Sequence, residues 1–173
     1  MLFGAVSVEN FRQRLWLKRE LCKNQKLMRK LFKSGADRAF AKYGAARVSH
    51  PKEFAALKRR IEILGGKILW QAGEYGYSPG SKNDFDVIAG HLFLDPNASW
   101  SAMLHEAQHF FDDYANDYPN FGFYFDGNSL EFWRMEFRGY MAELNFARKN
   151  RDFDLAREII KDMRQRRIEL RGF

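Results

Sequence analysis

The chain has 173 residues, a net charge of +7 and a single cysteine, Cys22. That length suits one compact domain, and 17 Phe, 7 Tyr and 4 Trp supply a core that needs no disulfide or structural metal to hold it. One cysteine excludes an intrachain disulfide, and no apolar run approaches the roughly 20 residues that span a bilayer.

The charge is unevenly spread. Residues 1–67 hold 17 Lys and Arg against 5 Asp and Glu; residues 68–145 hold 3 against 12; residues 146–173 hold 9 against 5. An acidic middle between basic flanks favours a divalent cation and basic substrate segments. The basic flanks suit an acidic protein partner, although solvated helix faces account for them equally simply. They carry no helix-turn-helix or zinc-finger pattern that would read DNA. The N-terminus, Met1 to Val6, has no basic segment before it, so no signal peptide is expected and a cytoplasmic location is.

Val8, Phe11, Leu15, Leu21, Met28, Leu31 and Phe32 recur at helical steps and predict an amphipathic helix over 8–32, with Ser7 as cap, Gly35 as stop and Cys22 buried. A shorter helix is expected over 36–46, ending near Gly44. The next starts at His50 as cap, with Pro51 at the first helical position and Glu53 in the first turn. It buries Phe54, Leu57, Ile61 and Leu64, and Gly65-Gly66 ends it. Lys67–Ala72 reads as a short strand, 73–85 as a turn-rich loop, and Asp86–Leu94 as the best strand of the chain. Asn97 or Ser99 caps a helix that runs to Tyr114 or Asn116. An aromatic loop over 117–127 leads to a helix from 129 to about 148, started by Asn128 with Glu131 three residues on. A last helix carries Leu155, Ile159, Ile160, Met163 and Ile168.

The helix after residue 99 contains Leu104-His105-Glu106-Ala107-Gln108-His109-Phe110, an HExxH motif. A four-residue step returns to nearly the same helix face, offset by about 40°. His105 and His109 can therefore each present a ring nitrogen to one metal ion, and Glu106 sits at the edge of that face. A third ligand is needed, because catalytic zinc usually takes three protein ligands. The pattern with a further ligand six residues after the second histidine fails, since Ala115 stands there and Asp112 stands where a glycine is needed. Asp112 and Asp113 read as supporting or solvent-facing residues. The alternative is a glutamate from a later helix: Glu136 and Glu143 share one face two turns apart, and Glu131 lies off to one side.

At Glu136-Phe137-Arg138-Gly139-Tyr140-Met141-Ala142-Glu143, together with the HExxH helix, the chain resembles the gluzincin branch of the zincin metallopeptidases, including the minimal peptidases that cleave phage-type repressors. The resemblance covers about residues 86–145. In size and in its basic helical prelude the chain is also similar to metallopeptidase domains of bacterial polymorphic toxins, which would place it inside a target cell. The resemblance implies an α+β fold: a zincin-like minimal metallopeptidase, mostly helical, with a small sheet bordering the active-site helix. Residues 67–173 would be the catalytic part and residues 1–66 a basic helical region packed on it.

It also implies a mechanism. His105, His109 and Glu136 would hold Zn2+, a water activated by the metal would attack a peptide bond in a protein or peptide substrate, and Glu106 would act as general base. Tyr140 is the favoured oxyanion donor, with Tyr118, Tyr124 and His91 as alternatives. The strand 87–94 would border the cleft and pair with an extended substrate, and Gly90 would either permit a close approach or mark a bulge. Hydrolysis of a non-peptide bond uses the same activated water. The rival reading is a non-enzymatic basic binding module, for nucleic acid or an acidic protein, in which HExxH is structural or accidental.

Overall fold

The computed structural model describes residues 37–125 and 129–170. The helix expected over 8–32, with Ser7, Cys22 and Gly35, lies outside those residues, as does the Asn128 cap. Within them the chain forms α1 (Phe40–Tyr43), α2 (Ala46–Ser49), α3 (Pro51–Ile63), β1 (Lys67–Trp70), β2 (Tyr75–Ser78), β3 (Ser81–Lys82), β4 (Val87–Ile88), β5 (His91–Leu94), α4 (Trp100–Ala115), α5 (Phe121–Phe125), α6 (Ser129–Lys149) and α7 (Phe153–Leu170). The architecture is α+β, dominated by helices, with a small sheet. No helix among the described residues is long and apolar enough to cross a membrane.

α3 begins at Pro51, whose fixed φ suits the first helical position. His50 makes no capping hydrogen bond. Its ring instead stacks on Trp100, with centroids 5.6 Å apart and planes 13° from parallel, which ties the start of α3 to the start of α4. Of the expected stripe, Ile61 is fully buried, while Phe54, Leu57 and Leu64 are half-buried against the same core. Residues 46–64 therefore share one core with the sheet and α4.

The sheet differs from the sequence expectation in two places. The stretch 73–85 is not a loop throughout: it supplies β2 and β3. The expected strand over 86–94 is two strands in two sheets, since β4 pairs antiparallel with β3 and β5 joins a three-stranded sheet of order β1-β5-β2. β1 runs parallel to β5 with Lys67 opposite His91, and β2 runs antiparallel with Ser78 opposite His91. The break falls at Gly90, where an added Cβ would lie 1.9 Å from Tyr77 Oη and 2.7 Å from the Ser78 carbonyl oxygen. Gly90 thus marks a close approach of β2, and only a residue without a side chain fits there. A second consequence is that β5 is the central strand. Both its edges are already paired, so it cannot receive a substrate strand as expected; β1 and β2 form the sheet's edges.

α4 is capped by Ser99, whose Oγ accepts from the Ala102 amide at 3.2 Å. Asp37 fixes that cap in turn, accepting from Ser99 N and from Ser99 Oγ, each at 2.6 Å. α4 packs on α6, and α6 on α7. One buried cluster, with Ile61, Tyr77, Leu92, Leu94, Met103 and Phe110, lies between sheet and α4. A second, with Tyr140, Leu144, Phe146, Leu155 and Ile159, lies between α6 and α7. The stretch expected as a loop over 117–127 contains α5.

Candidate metal centre

α4 and α6 face each other across the HExxH motif. His105 and His109 stand one turn apart on α4, with ring centroids 4.7 Å apart and planes at 85°. Glu136 comes from α6 and puts Oε1 3.5 Å from His109 Nε2. One ligand atom from each of His105, His109 and Glu136 lies within 4.8 Å of the others, and all three residues are buried. Among the described residues this is the one such group of three or more potential ligands.

Glu143, the rival third ligand, occupies a different position. Its Oε1 accepts from His105 Nδ1 at 2.6 Å. With Nδ1 engaged by Glu143, Nε2 is the ring nitrogen left for another partner. The other oxygen of Glu143 accepts from Ser101 Oγ at 3.4 Å and pairs with Arg38 Nη1 at 3.5 Å. Glu143 therefore holds the His105 ring and stands outside the group of three, which takes Glu136 instead.

Gly139 lets the helices meet. A Cβ there would lie 2.6 Å from His105 Nε2, 2.7 Å from Cδ2 and 2.9 Å from Cε1. The space that a side chain would fill is taken by the face of the His105 ring, so only glycine lets α6 pack against it. Glu106 follows His105 on the same helix and is buried, and its Oε2 has no hydrogen-bond partner among the described residues. A buried carboxylate oxygen left without a partner is costly unless the site supplies a cation or water. The donor set of two imidazoles and a carboxylate and the orphaned Glu106 oxygen fit a divalent metal ion.

Electrostatics follow from this crowding. Burial opposes charge on His105, but the hydrogen bond to Glu143 and the charges of Glu143, Glu106 and Glu136 outweigh it and push the imidazole up to about 9. Burial pushes the Glu106 carboxyl up to about 8; His105 opposes that rise, and Glu136 and Glu143 add to it. Burial, reinforced by His105, Arg138 and Arg166, holds His109 well below its ordinary value.

Of the four candidate oxyanion donors, Tyr140 packs on a motif residue. Its ring sits edge-on to His105 at 5.0 Å, and it lines a small cavity with His105, Glu106, Asp37, Arg38 and Tyr75. Tyr124 Oη donates to Asp113 at 3.0 Å, and Tyr118 Oη to the Leu64 carbonyl at 3.3 Å. His91 is half-buried on β5, with Nδ1 lacking a hydrogen-bond partner among the described residues. The space open to the centre of a water molecule in that cavity is about 10 Å³, enough for about one water.

Asp112 and Asp113 do not join the ligands. Asp112 accepts from Arg138 Nε at 2.7 Å and from Gln108 Nε2 at 2.9 Å. Asp113 is fully buried rather than solvent-facing, and accepts from Tyr77 Oη at 2.6 Å, Gly80 N at 2.7 Å and Tyr124 Oη. It pins β2 and the segment after α4 to the HExxH helix. Sequence reasoning missed Arg38, Arg166 and Tyr75 near the centre. Their placement is tertiary, and no periodicity or spacing signals it. Comparison with protein-family models, curated proteins and solved structures finds no match to this chain.

Proposed function

We propose that the chain is a zinc-dependent peptidase of the zincin type, gluzincin-like, acting on a protein or peptide. The observation that carries this reading is the convergence of His105, His109 and Glu136 within 4.8 Å in the interior, with the buried carboxylate of Glu106 beside them. When bound, zinc supplies Lewis acidity and an activated water. The chain's own residues do the rest. His105, His109 and Glu136 would hold the ion, and Glu143 keeps His105 in the ligating tautomer. Glu106 Oε2 is the atom placed to take a proton from water and return it to the leaving nitrogen. The Tyr140 hydroxyl is the donor offered to a developing oxyanion. An extended substrate would pair with the edge strand β2, whose Tyr75 lines the cavity.

One observation favours a second reading. His105, Glu106, His109 and Glu136 are all at most 4 % exposed, and the cavity beside them holds about one water. A peptide reaches this centre only if the packing around it opens. Without opening, the centre is a structural metal site in a non-catalytic binding module. Expression of the protein beside its Glu106→Gln form, followed by a proteome-wide search for new protein termini, separates the two. Termini that appear only with the wild type support the peptidase. Identical terminus profiles in both cultures leave the structural site.

A further inference from the structure

The two oxygens of Glu136 face different partners. Oε1 is turned to His109 Nε2 at 3.5 Å, and Oε2 accepts from Arg166 Nε at 3.4 Å. Arg166 belongs to α7, which packs on α6 outside the HExxH motif and outside the segment that resembles the gluzincins. Its side chain is only 15 % exposed, and its guanidinium lies 5.3 Å from the centre of the Phe132 ring, which limits its swing. It also pairs with Glu169 at 3.5 Å, a half-exposed carboxylate, and that pair is screened by water.

We propose that Arg166 is a positioning residue for the metal centre: it holds one oxygen of Glu136 so that the carboxylate ligates through the other oxygen alone. This rests on the metal-binding reading above. A carboxylate free to rotate can offer both oxygens to an ion, which raises the coordination number and uses a position that a water would take. An arginine fixed on Oε2 withholds that oxygen. It also adds positive charge to a site where Glu106, Glu136 and Glu143 crowd around two imidazoles. The C-terminal helix thereby takes part in the centre, and the geometry at the ion depends on α7 staying docked on α6.

The test uses the full chain as wild type, Arg166→Gln, Arg166→Lys and His109→Ala. Zinc affinity is measured by competition with a chromophoric chelator. The visible spectrum of the cobalt-substituted protein is recorded, together with the thermal midpoint of each metal-free protein. Arg166→Gln is expected to weaken zinc about 10- to 100-fold, the usual effect of removing a group that orients a ligand. Its cobalt bands should weaken and shift as Glu136 turns to give two oxygens. Arg166→Lys, which keeps a donor and the charge, should recover most of the affinity and the wild-type spectrum. Unchanged zinc affinity and cobalt spectrum in Arg166→Gln overturn the proposal while the metal reading stands. So does a lysine variant that loses affinity and metal-free midpoint as far as the glutamine variant does, since that marks a packing role. Wild type that binds zinc no better than His109→Ala overturns the metal reading and this inference together.

Discussion

Gly139→Ala puts the geometry of the centre under the most direct strain. The added methyl would stand 2.6 to 2.9 Å from three atoms of the His105 ring. Ordinary carbon contacts are about 3.5–4.0 Å, so the ring or the helix must retreat by roughly 1 Å. The ring cannot swing aside easily, because it is 3 % exposed and its Nδ1 is held by Glu143 at 2.6 Å. Overpacking of this kind costs about 1–3 kcal/mol, and replacing Gly by Ala inside a helix returns up to about 1 kcal/mol. The metal-free variant should therefore be destabilised by at most about 2.5 kcal/mol and remain folded. A zinc–nitrogen bond is about 2.0–2.1 Å, so a shift of this size removes His105 from the ion, and affinity should fall by more than about tenfold. Chelator competition and thermal denaturation of the same samples read both numbers. Wild-type zinc affinity in a folded Gly139→Ala protein would refute the argument, because it would mean that displacing the His105 ring does not take Nε2 off the ion.

Other expectations follow from the same geometry. Glu143→Gln should weaken zinc about 10- to 100-fold, since it only orients His105, whereas Glu136→Gln should weaken it further; the reverse order in chelator titrations would exchange their roles. His105 is raised from its ordinary value to about 9, so the stability it lends the metal-free fold is complete below pH 6.5 and lost as pH rises to 9. Glu106, raised to about 8, acts in the same direction, because its buried carboxyl favours the protonated form. Urea denaturation of metal-free protein should show lower stability at pH 9 than at pH 6, while zinc affinity rises over that interval as His105 gives up its proton. Equal stability at the two pH values would contradict the assignment. Asp113→Ala leaves Tyr77 Oη, Gly80 N and Tyr124 Oη without their acceptor. At about 1–3 kcal/mol for each buried donor, a loss of about 3 kcal/mol or more is expected in denaturant titration. A loss under about 1 kcal/mol would show that these donors find other partners.

The parts of the fold that follow local rules were legible in the sequence. Pro51 started α3, Ser99 capped α4 and the HExxH spacing put His105 and His109 on one face. Long-range packing was not legible. Tyr75-Gly76-Tyr77-Ser78 looks like a turn because of its glycine and the following Pro79, and becomes a strand because β5 offers it a paired edge. The strand expected over 86–94 breaks at Gly90 because Tyr77, from another strand, occupies the place of a side chain. At the centre, helical spacing put Glu136 and Glu143 on one face of α6 but could not say which oxygen meets which imidazole. Arg38 and Arg166 reach the two glutamates from the two ends of the described chain, through contacts that only the folded helix packing creates.

The central claim is that His105, His109 and Glu136 form a metal site, and metal content tests it most directly. Purified wild type and Glu106→Gln should each carry about one equivalent of zinc or a similar divalent metal by plasma mass spectrometry, and His109→Ala should carry almost none. Wild type that stays metal-free after incubation with zinc, or His109→Ala that retains a full equivalent, would contradict it.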